Sequence, residues 1–214
     1  MQINVLSQLF IPLHLTLIKI RELTLSNSSR SDIMEKDKYG EREKTVMDLK
    51  RIVRIAMMAA LIFAGTYTFK IPIAITGGYT HLGDCAIFVG VMLLGRKDGA
   101  LAAALGAALS DLLSGAMLWV LPTFIIKGIM ALIMGLAVEK LMPEHRYGWL
   151  IGEVLGGVCQ IVGYQLVKIV LISPAAAIAT IPTITMQTIA GIVIASVVIT
   201  IMQSSNLIER LKRS

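Results

Sequence analysis

The chain has few of the residues that keep a soluble domain in water, and this shortage excludes that class of protein. Only 16% of its 214 residues are charged, whereas 56% are hydrophobic, and the mean hydropathy is +0.76. Soluble domains carry about 25% charged residues. Charge is scarcest after residue 50, where 12 basic and seven acidic residues are spread over 164 positions. Residues 51–205 are therefore predicted to be embedded in a membrane.

The sequence also lacks the patterns that hold metals, phosphates or a catalytic centre. Its two cysteines, Cys85 and Cys159, lie in apolar stretches without CxxC spacing, which predicts buried thiols rather than disulfide or metal partners. The segment most similar to a P-loop, residues 90–97, lacks the Gly-Lys-Ser/Thr ending, and neither GxSxG nor HExxH occurs. The sequence therefore predicts no enzyme, no bound metal, no directly bound cofactor and no self-contained ATP-driven pump.

Residues 1–50 differ from the rest of the chain. An apolar run over residues 3–20 is broken by a proline and a histidine, and a Ser/Asn-rich, mixed-charge stretch follows. No basic residue precedes Lys19 and no small-residue cleavage site follows, so a secretory signal is not expected. Three interpretations stay open: an interfacial amphipathic segment, a weak additional span, or sequence upstream of a true start at Met34 or Met47. We treat this part as an N-terminal extension or cytosolic lead-in.

Six apolar segments follow, each near the length of about 20 residues that crosses a bilayer. They cover residues 52–69, 81–94, 100–115, 119–141, 149–172 and 182–202. The sequence Gly-Arg-Lys-Asp-Gly at residues 95–99 predicts a tight turn. Because unpaired backbone groups are not tolerated in lipid, helices are the expected form. The predicted fold class is all-α, a six-helix transmembrane bundle over residues 51–205, followed by a basic cytosolic tail over residues 206–214.

The basic residues predict an orientation. Those on one side of the predicted bundle are Lys50, Arg51, Arg54, Arg96, Lys97, Lys140, Arg146, Arg210, Lys212 and Arg213. The connections on the opposite side contain only Lys70. Because basic residues accumulate on the cytoplasmic side, both termini are predicted to be cytoplasmic in a multi-pass protein of the cell membrane. The same bias accounts for the net charge of +6 without a nucleic-acid partner.

Ionisable residues inside the apolar segments are the main functional signal, since each costs free energy unless it is paired, hydrated or near the interface. The polar and aromatic residues predicted in the outer half are Asp84, Asp111, Lys127, Lys168, Tyr79, His81, Trp119, Gln160, Tyr164 and Gln187. They predict a polar cavity that is open to the outside and takes a small water-soluble ligand. A purely structural network of Asp84, Asp111 and Lys127 is the open alternative, and Lys168 can also reach the interface by snorkelling. Glu153 is expected at the cytoplasmic interface.

Small residues recur every four positions in two of the segments. The first segment has Ala56, Ala60 and Ala64, and the third has Ala102, Gly106 and Ser110. Such stripes let helices approach closely in lipid. Each stripe can serve either packing inside the bundle or contact with a partner subunit, and at least one is predicted to face a partner.

Four motifs together resemble the substrate-binding S components of energy-coupling factor (ECF) transporters. They are Tyr79-Thr-His-Leu-Gly-Asp84, Leu94-Gly-Arg-Lys-Asp-Gly99, Ala108-Leu-Ser-Asp111-Leu-Leu-Ser-Gly115 and Pro122-Thr-Phe-Ile-Ile-Lys127-Gly128. The likeness covers about residues 50–205. It is nearest to the riboflavin-type branch, which also includes proteins assigned to hydroxymethylpyrimidine or pyridoxine.

The resemblance implies a six-helix membrane protein that binds a water-soluble B-vitamin or vitamin precursor from outside. It implies delivery inward together with a transmembrane T subunit and two ABC ATPases, which use the ATP. Ala56 and Ala60, extended by Ala64, would contact the T subunit. The residues expected to bind substrate or support the pocket are Asp84, Asp111, Lys127, Trp119, Tyr79, His81, Gln160, Tyr164 and Lys168. A membrane scaffold or assembly protein that does not transport is the alternative.

Overall fold

The computed structural model of the protein describes residues 48–73, 78–143, 145 and 147–205. The chain divides into two compact units, Met1–Arg51 and Ile52–Ser214. Residues 48–51 of the first unit are helical. The rest of the N-terminal extension and the basic tail predicted over residues 206–214 lie outside the described residues.

Helices account for most of the described part of the chain. They are α1 over residues 48–68, α2 (Asp84–Leu94), α3 (Arg96–Leu113), α4 (Met117–Leu136), α5 (Gly148–Leu171), the short α6 (Pro174–Ala179) and α7 (Ile181–Ser204). A π-helical turn, Ala137–Leu141, continues α4. The prediction of an all-α membrane bundle is confirmed, with α6 as a short helix in the last connection.

Two short strands form a hairpin between α1 and α2. Strand β1 (Lys70–Ile73) pairs antiparallel with β2 (Gly78–His81), so that the ends of the pairing join Lys70 to His81 and Ile73 to Gly78. This hairpin was not predicted. The second helix was expected to begin at His81, but His81 ends β2 and α2 begins at Asp84.

The turn between α2 and α3 is shorter than predicted. Within residues 95–99 only Gly95 has a positive φ, +80°, and the residues after it form the first turn of α3. The Arg96 amide donates to Glu139 Oε1 over 2.6 Å, and Arg96 Nε lies 3.6 Å from Glu139 Oε2. A carboxylate at a helix N-terminus satisfies a free amide group there. The helix therefore starts directly after Gly95.

The core is built from bulky apolar side chains and close helix contacts. Ile62, Phe88 and Met130 are fully buried within one hydrophobic cluster. Helix α3 packs against α2 and α4, whereas α5 packs against α4, α6 and α7. A Cβ atom at Gly156 of α5 would lie 2.9 Å from the Met130 carbonyl oxygen of α4. The backbones of these two helices thus approach more closely than a side chain at position 156 would allow.

Three helices in the described part are long and apolar enough to cross a membrane. They cover Met117–Leu141, Gly148–Leu171 and Ile181–Ser204, and α2 is a shorter apolar helix. Large apolar side chains on these helices face away from the bundle, among them Leu121, Val170 and Met186. Such a surface is typical of helices in contact with lipid.

Candidate functional site

Two facing stripes of polar and aromatic residues lie near the end of the bundle that carries the hairpin. We call this the hairpin end; it comprises β1, β2, α6 and the first residues of α2, α4 and α7. The α4 stripe consists of Trp119, Thr123 and Lys127, and the α5 stripe consists of Gln160, Tyr164 and Lys168. All six side chains are buried. The four-residue spacing places each set on a single helix face.

Tyr164 joins the two stripes. Its hydroxyl group lies 3.0 Å from Thr123 Oγ1, and its ring centroid lies 6.1 Å from that of Trp119. Lys127 Nζ lies 5.6 Å from the Tyr164 ring centroid, within the range of a cation–π contact. The Tyr164 side chain therefore interacts with all three members of the α4 stripe.

Lys127 forms a fully buried ion pair with Asp84. The side chains of both residues have 0% exposure. Lys127 Nζ donates to Asp84 Oδ1 and to Gln160 Oε1. Because removing one partner of a buried ion pair leaves a costly unpaired charge, each of these side chains is stabilised by the others.

The second carboxylate oxygen of Asp84 is also fully engaged. Asp84 Oδ2 accepts from Gln160 Nε2 over 2.7 Å and from Gln187 Nε2 over 2.9 Å. Gln160 Nε2 also donates to Thr188 Oγ1 over 2.8 Å, and the Thr188 hydroxyl bonds to the Ile184 carbonyl oxygen over 2.8 Å. We call Asp84, Lys127, Gln160, Gln187 and Thr188 the buried network.

Gln187 connects the buried network to the hairpin. Its Oε1 accepts from the backbone amide of His81 over 3.3 Å. The His81 ring points back to its own loop, where Nδ1 accepts from the Gly83 amide over 3.1 Å. The end of β2 and the start of α2 are thus held against α7.

Lys168 lies at the hairpin end of the α5 stripe, one helical turn beyond Tyr164. It is 5% exposed, and Nζ donates to Thr180 Oγ1 over 2.8 Å. No carboxylate of the described residues forms an ion pair with it. Lys127 and Lys168 therefore differ in their electrostatic surroundings, since only Lys127 has an anionic partner in that part of the chain.

The structure brings most of the predicted site residues together. The facing stripes contain Trp119, Lys127, Gln160 and Tyr164. Asp84 pairs with Lys127, and the His81 amide donates to Gln187. Asp111 is buried near the end of α3, and its part in the site stays a prediction. The backbone of Tyr79 lies in β2, while its side chain lies outside the described part.

Thr123 and Thr188 were not among the predicted site residues, and Gln187 was predicted in the cavity but not among the ligand residues. Thr123 has a recognisable signal, because it lies midway between Trp119 and Lys127 at the same four-residue spacing. Gln187 and Thr188 are adjacent in α7, which contains no charged residue. Their side-chain partners, Asp84 and Gln160, lie on other helices and are not apparent from the sequence.

Glu153 is buried inside the bundle, with 0% exposure. It lies more than one turn inside α5, next to Ser196 of α7, and its predicted depth near the cytoplasmic interface stays a prediction. Ser196 Oγ donates to Glu153 Oε2 over 2.9 Å. Glu153 Oε1 has no hydrogen-bond partner among the described residues.

The two stripes of small residues have opposite placements. Ala56, Ala60 and Ala64 of α1 are exposed, and the core-facing side of that helix is formed by residues such as Ile55 and Ile62. The α3 stripe of Ala102, Gly106 and Ser110 is buried inside the bundle. The α3 stripe therefore packs internally, whereas the α1 stripe lies on the surface of the described part, and its contact with a partner stays a prediction.

The chain matches a known family along most of its length. Residues 46–204 match the family described as ECF-type riboflavin transporter, S component. The chain belongs to this S component family. As an S component it is a substrate-binding subunit of a membrane transporter and not an enzyme, in agreement with the resemblance seen in the sequence.

Two individual proteins are also similar to this S component. An uncharacterized protein encoded in the gap 3′ region of Pyrococcus woesei is 35% identical over 129 residues, which cover 60% of this chain and 85% of the relative. A solved structure described as the S component of a bacterial ECF transporter matches with a TM-score of 0.56 and 18% identity, covering 77% of this chain and 99% of that chain. At this identity the structural match supports the fold alone.

Proposed function

We propose that this S component binds a water-soluble B-vitamin or vitamin precursor at the hairpin end and delivers it inward with a T subunit and two ABC ATPases. Riboflavin, hydroxymethylpyrimidine and pyridoxine-like molecules are the candidate ligands. The observation that carries the proposal is the pair of buried polar and aromatic stripes on α4 and α5. Family membership supports it, because S components bind transport substrates.

The chemistry of the stripes suits a small heteroaromatic ligand. Trp119 and Tyr164 offer aromatic rings for stacking, and ring-to-ring contacts are favourable at centroid separations of about 4.5–7 Å. Thr123 and the Tyr164 hydroxyl group offer hydrogen bonds to polar ring substituents. Sites of this kind combine apolar walls with a few fixed polar groups.

The buried network would form the inner boundary of the binding site. The charges of Asp84 and Lys127 balance one another, so the network adds no net charge there. Its side chains are held by several hydrogen bonds, and a ligand would meet them in a fixed arrangement. Asp84, Lys127 and Gln160 then either contact the ligand directly or support residues that do.

We assign the hairpin end to the outside and both termini to the cytoplasm, with six passes through the membrane. The basic residues support this orientation, because ten of them belong to the opposite side, whereas the connections on the hairpin side contain only Lys70. In this arrangement the ligand enters from the outside through the hairpin end.

The exposed stripe of α1 is the proposed contact for the T subunit. Ala56, Ala60 and Ala64 are exposed, and small residues allow a second helix to approach closely. Replacing Ala60 with Trp should prevent recovery of the complex with the T subunit and ATPases but should leave ligand affinity unchanged. Val193→Trp, which alters an exposed position of α7, is the control and should preserve the complex. Normal complex formation by Ala60→Trp would contradict this assignment.

The main test is to identify the ligand. The full chain is purified in detergent and denatured, and the released small molecules are identified by mass spectrometry. We expect a vitamin or precursor in stoichiometric amount, or saturable binding when a panel of vitamins is titrated. A preparation that releases no such molecule and binds no member of the panel would favour the scaffold alternative.

A further inference from the structure

Lys168 is a buried cation whose charge is not balanced by the described part of the protein. Its side chain is 5% exposed, and the Thr180 hydroxyl is its one hydrogen-bond partner among the described residues. An ammonium group has three N–H donors. Two donors and the positive charge are thus available at the hairpin end.

The amino-acid sequence provides few other candidates for a counter-ion. The connections at the hairpin end, residues 69–83, 114–116 and 172–180, contain no Asp or Glu. Asp84, the first residue of α2, directly follows residues 69–83, and it is already paired with Lys127. Asp111 lies on α3, which packs against α2 and α4, whereas α5 packs against α4, α6 and α7.

Snorkelling does not explain this placement. A lysine near a helix end can extend its ammonium group into water, but the low exposure of Lys168 and its hydrogen bond to Thr180 hold it inside the protein. A buried charge without a counter-ion is destabilising unless something else supplies the missing interactions. A bound ligand is the group that can do so at this position.

We infer that the ligand presents an anionic oxygen, of a carboxylate or a phosphate ester, to Lys168. This inference rests on the proposed function and narrows its substrate class to acidic vitamins or phosphorylated precursors. Lys168 lies four residues from Tyr164, which is an axial rise of about 6 Å on an α-helix. A heteroaromatic ring beside Tyr164 and Trp119 would place an acidic substituent within reach of Lys168.

Matched ligands that differ in one acidic group test the inference. The pairs are riboflavin 5′-phosphate with riboflavin, pyridoxine 5′-phosphate with pyridoxine, hydroxymethylpyrimidine phosphate with its alcohol, and nicotinate with nicotinamide. Each is titrated into the full-length protein in detergent by calorimetry. Within any pair that binds, we expect the acidic member to bind about tenfold more tightly or better, the effect of one hydrogen bond between charged groups.

Three variants connect this preference to Lys168. Lys168→Met removes the charge and should abolish the preference for the acidic member, whereas Lys168→Arg should retain it. Thr180→Val removes the hydroxyl partner but keeps the ammonium group, and it should retain the preference as well. Thermal unfolding checks the fold, and Lys168→Met should unfold at no lower temperature than the parent because it removes a buried charge.

The outcomes separate this inference from the proposed function. Equal binding of the acidic and neutral members, or a preference that survives in Lys168→Met, would overturn the inference while leaving vitamin binding intact. Failure of every pair to bind, together with the absence of a co-purified vitamin, would overturn the proposed function and this inference with it.

Discussion

Gly191 of α7 lies so close to Asp84 that a Cβ atom at position 191 would be 2.8 Å from the Asp84 Cβ atom. This distance is shorter than van der Waals contact, so α7 reaches the start of α2 only because position 191 has no side chain. The approach brings Gln187, one turn earlier on α7, within hydrogen-bond distance of the Asp84 carboxylate.

Gly191→Ala should therefore disturb the buried network. The added methyl group must push α7 away from Asp84, and we expect lower thermal stability together with weaker ligand binding. Overpacking of this kind costs about 1–3 kcal/mol. Gly128→Ala is the matched control, because a Cβ atom there meets its nearest neighbour, Ala104 Cβ, at an ordinary 3.5 Å. Unfolding temperatures that fall equally in both variants would contradict the proposed role of the close approach.

The ion pair between Asp84 and Lys127 can be tested with a double-mutant cycle. Lys127→Met or Asp84→Asn alone should destabilise the protein by about 3–5 kcal/mol, because each leaves a buried charge without its partner. The double variant should recover much of that loss, as measured by chemical or thermal unfolding. Additive losses would show that the two side chains are not coupled.

The same double variant decides whether the pair contributes to ligand binding. We expect Lys127→Met to abolish binding, and we expect the folded double variant to bind poorly too, because both carboxylate and ammonium groups are gone from the inner boundary of the site. Full affinity in the double variant would make the ion pair purely structural.

Gln187→Leu should separate the hairpin from the buried network. The substitution removes the hydrogen bonds that Gln187 forms with the His81 amide and with Asp84 Oδ2. Because a hydrogen bond to a charged group contributes about 1.5–3 kcal/mol, we expect a loss of that size in chemical or thermal unfolding. The control is Gln165→Leu, since neither Nε2 nor Oε1 of Gln165 has a partner in the described regions. Gln165→Leu should leave stability unchanged or raise it. Equal destabilisation by the two variants would contradict the bridging role.

Glu153→Gln should stabilise the protein. Glu153 is fully buried with a Ser196 hydroxyl as partner, and no basic residue in the described part forms an ion pair with it. A neutral amide of the same shape removes the penalty of a buried charge. Each kcal/mol gained corresponds to about 2–4 °C in unfolding temperature for a chain of this size. Ser196→Ala should have the opposite effect, and a lower unfolding temperature for Glu153→Gln would contradict this account.

Much of the helical architecture could be predicted from the sequence. The predicted fifth segment, residues 149–172, differs from α5 by one residue at each end, and the predicted sixth segment, residues 182–202, lies within α7. These helices could be predicted because long apolar runs in lipid must form helices and because Ser173-Pro174 marks the break between them.

Where the local structure differs from the prediction, the cause lies in residues that are distant in the sequence. Helix α3 begins directly after Gly95 because Glu139 accepts from the Arg96 amide, and the two residues are 43 positions apart. The hairpin likewise depends on the pairing of two short strands, a signal too weak to stand out against longer apolar segments.

Most residues of the candidate site could be predicted from the sequence, but the pairs that they form could not. Four-residue spacing places Gln160, Tyr164 and Lys168 on one face, and intramembrane polar residues point to function. That Asp84 rather than Asp111 pairs with Lys127 depends on how α2, α4 and α5 pack. The sequence contains no local feature that fixes this arrangement.

The Thr188 hydroxyl group helps to fix the orientation of the polar hydrogens around it. Its proton points to the Ile184 carbonyl, so its oxygen can only accept, and the NH2 group of Gln160 must face it. The Gln160 carbonyl then faces the Lys127 ammonium. Likewise, the His81 amide fixes the carbonyl of Gln187 and directs its NH2 group to Asp84.

If the side-chain amide of Gln160 or Gln187 were rotated by half a turn, its NH2 group would face another hydrogen-bond donor. The hydrogens around the ion pair therefore have one defined order, established by two backbone groups, the Ile184 carbonyl and the His81 amide. A ligand would dock against polar groups that are already oriented, and it would not have to spend binding free energy on reorienting them.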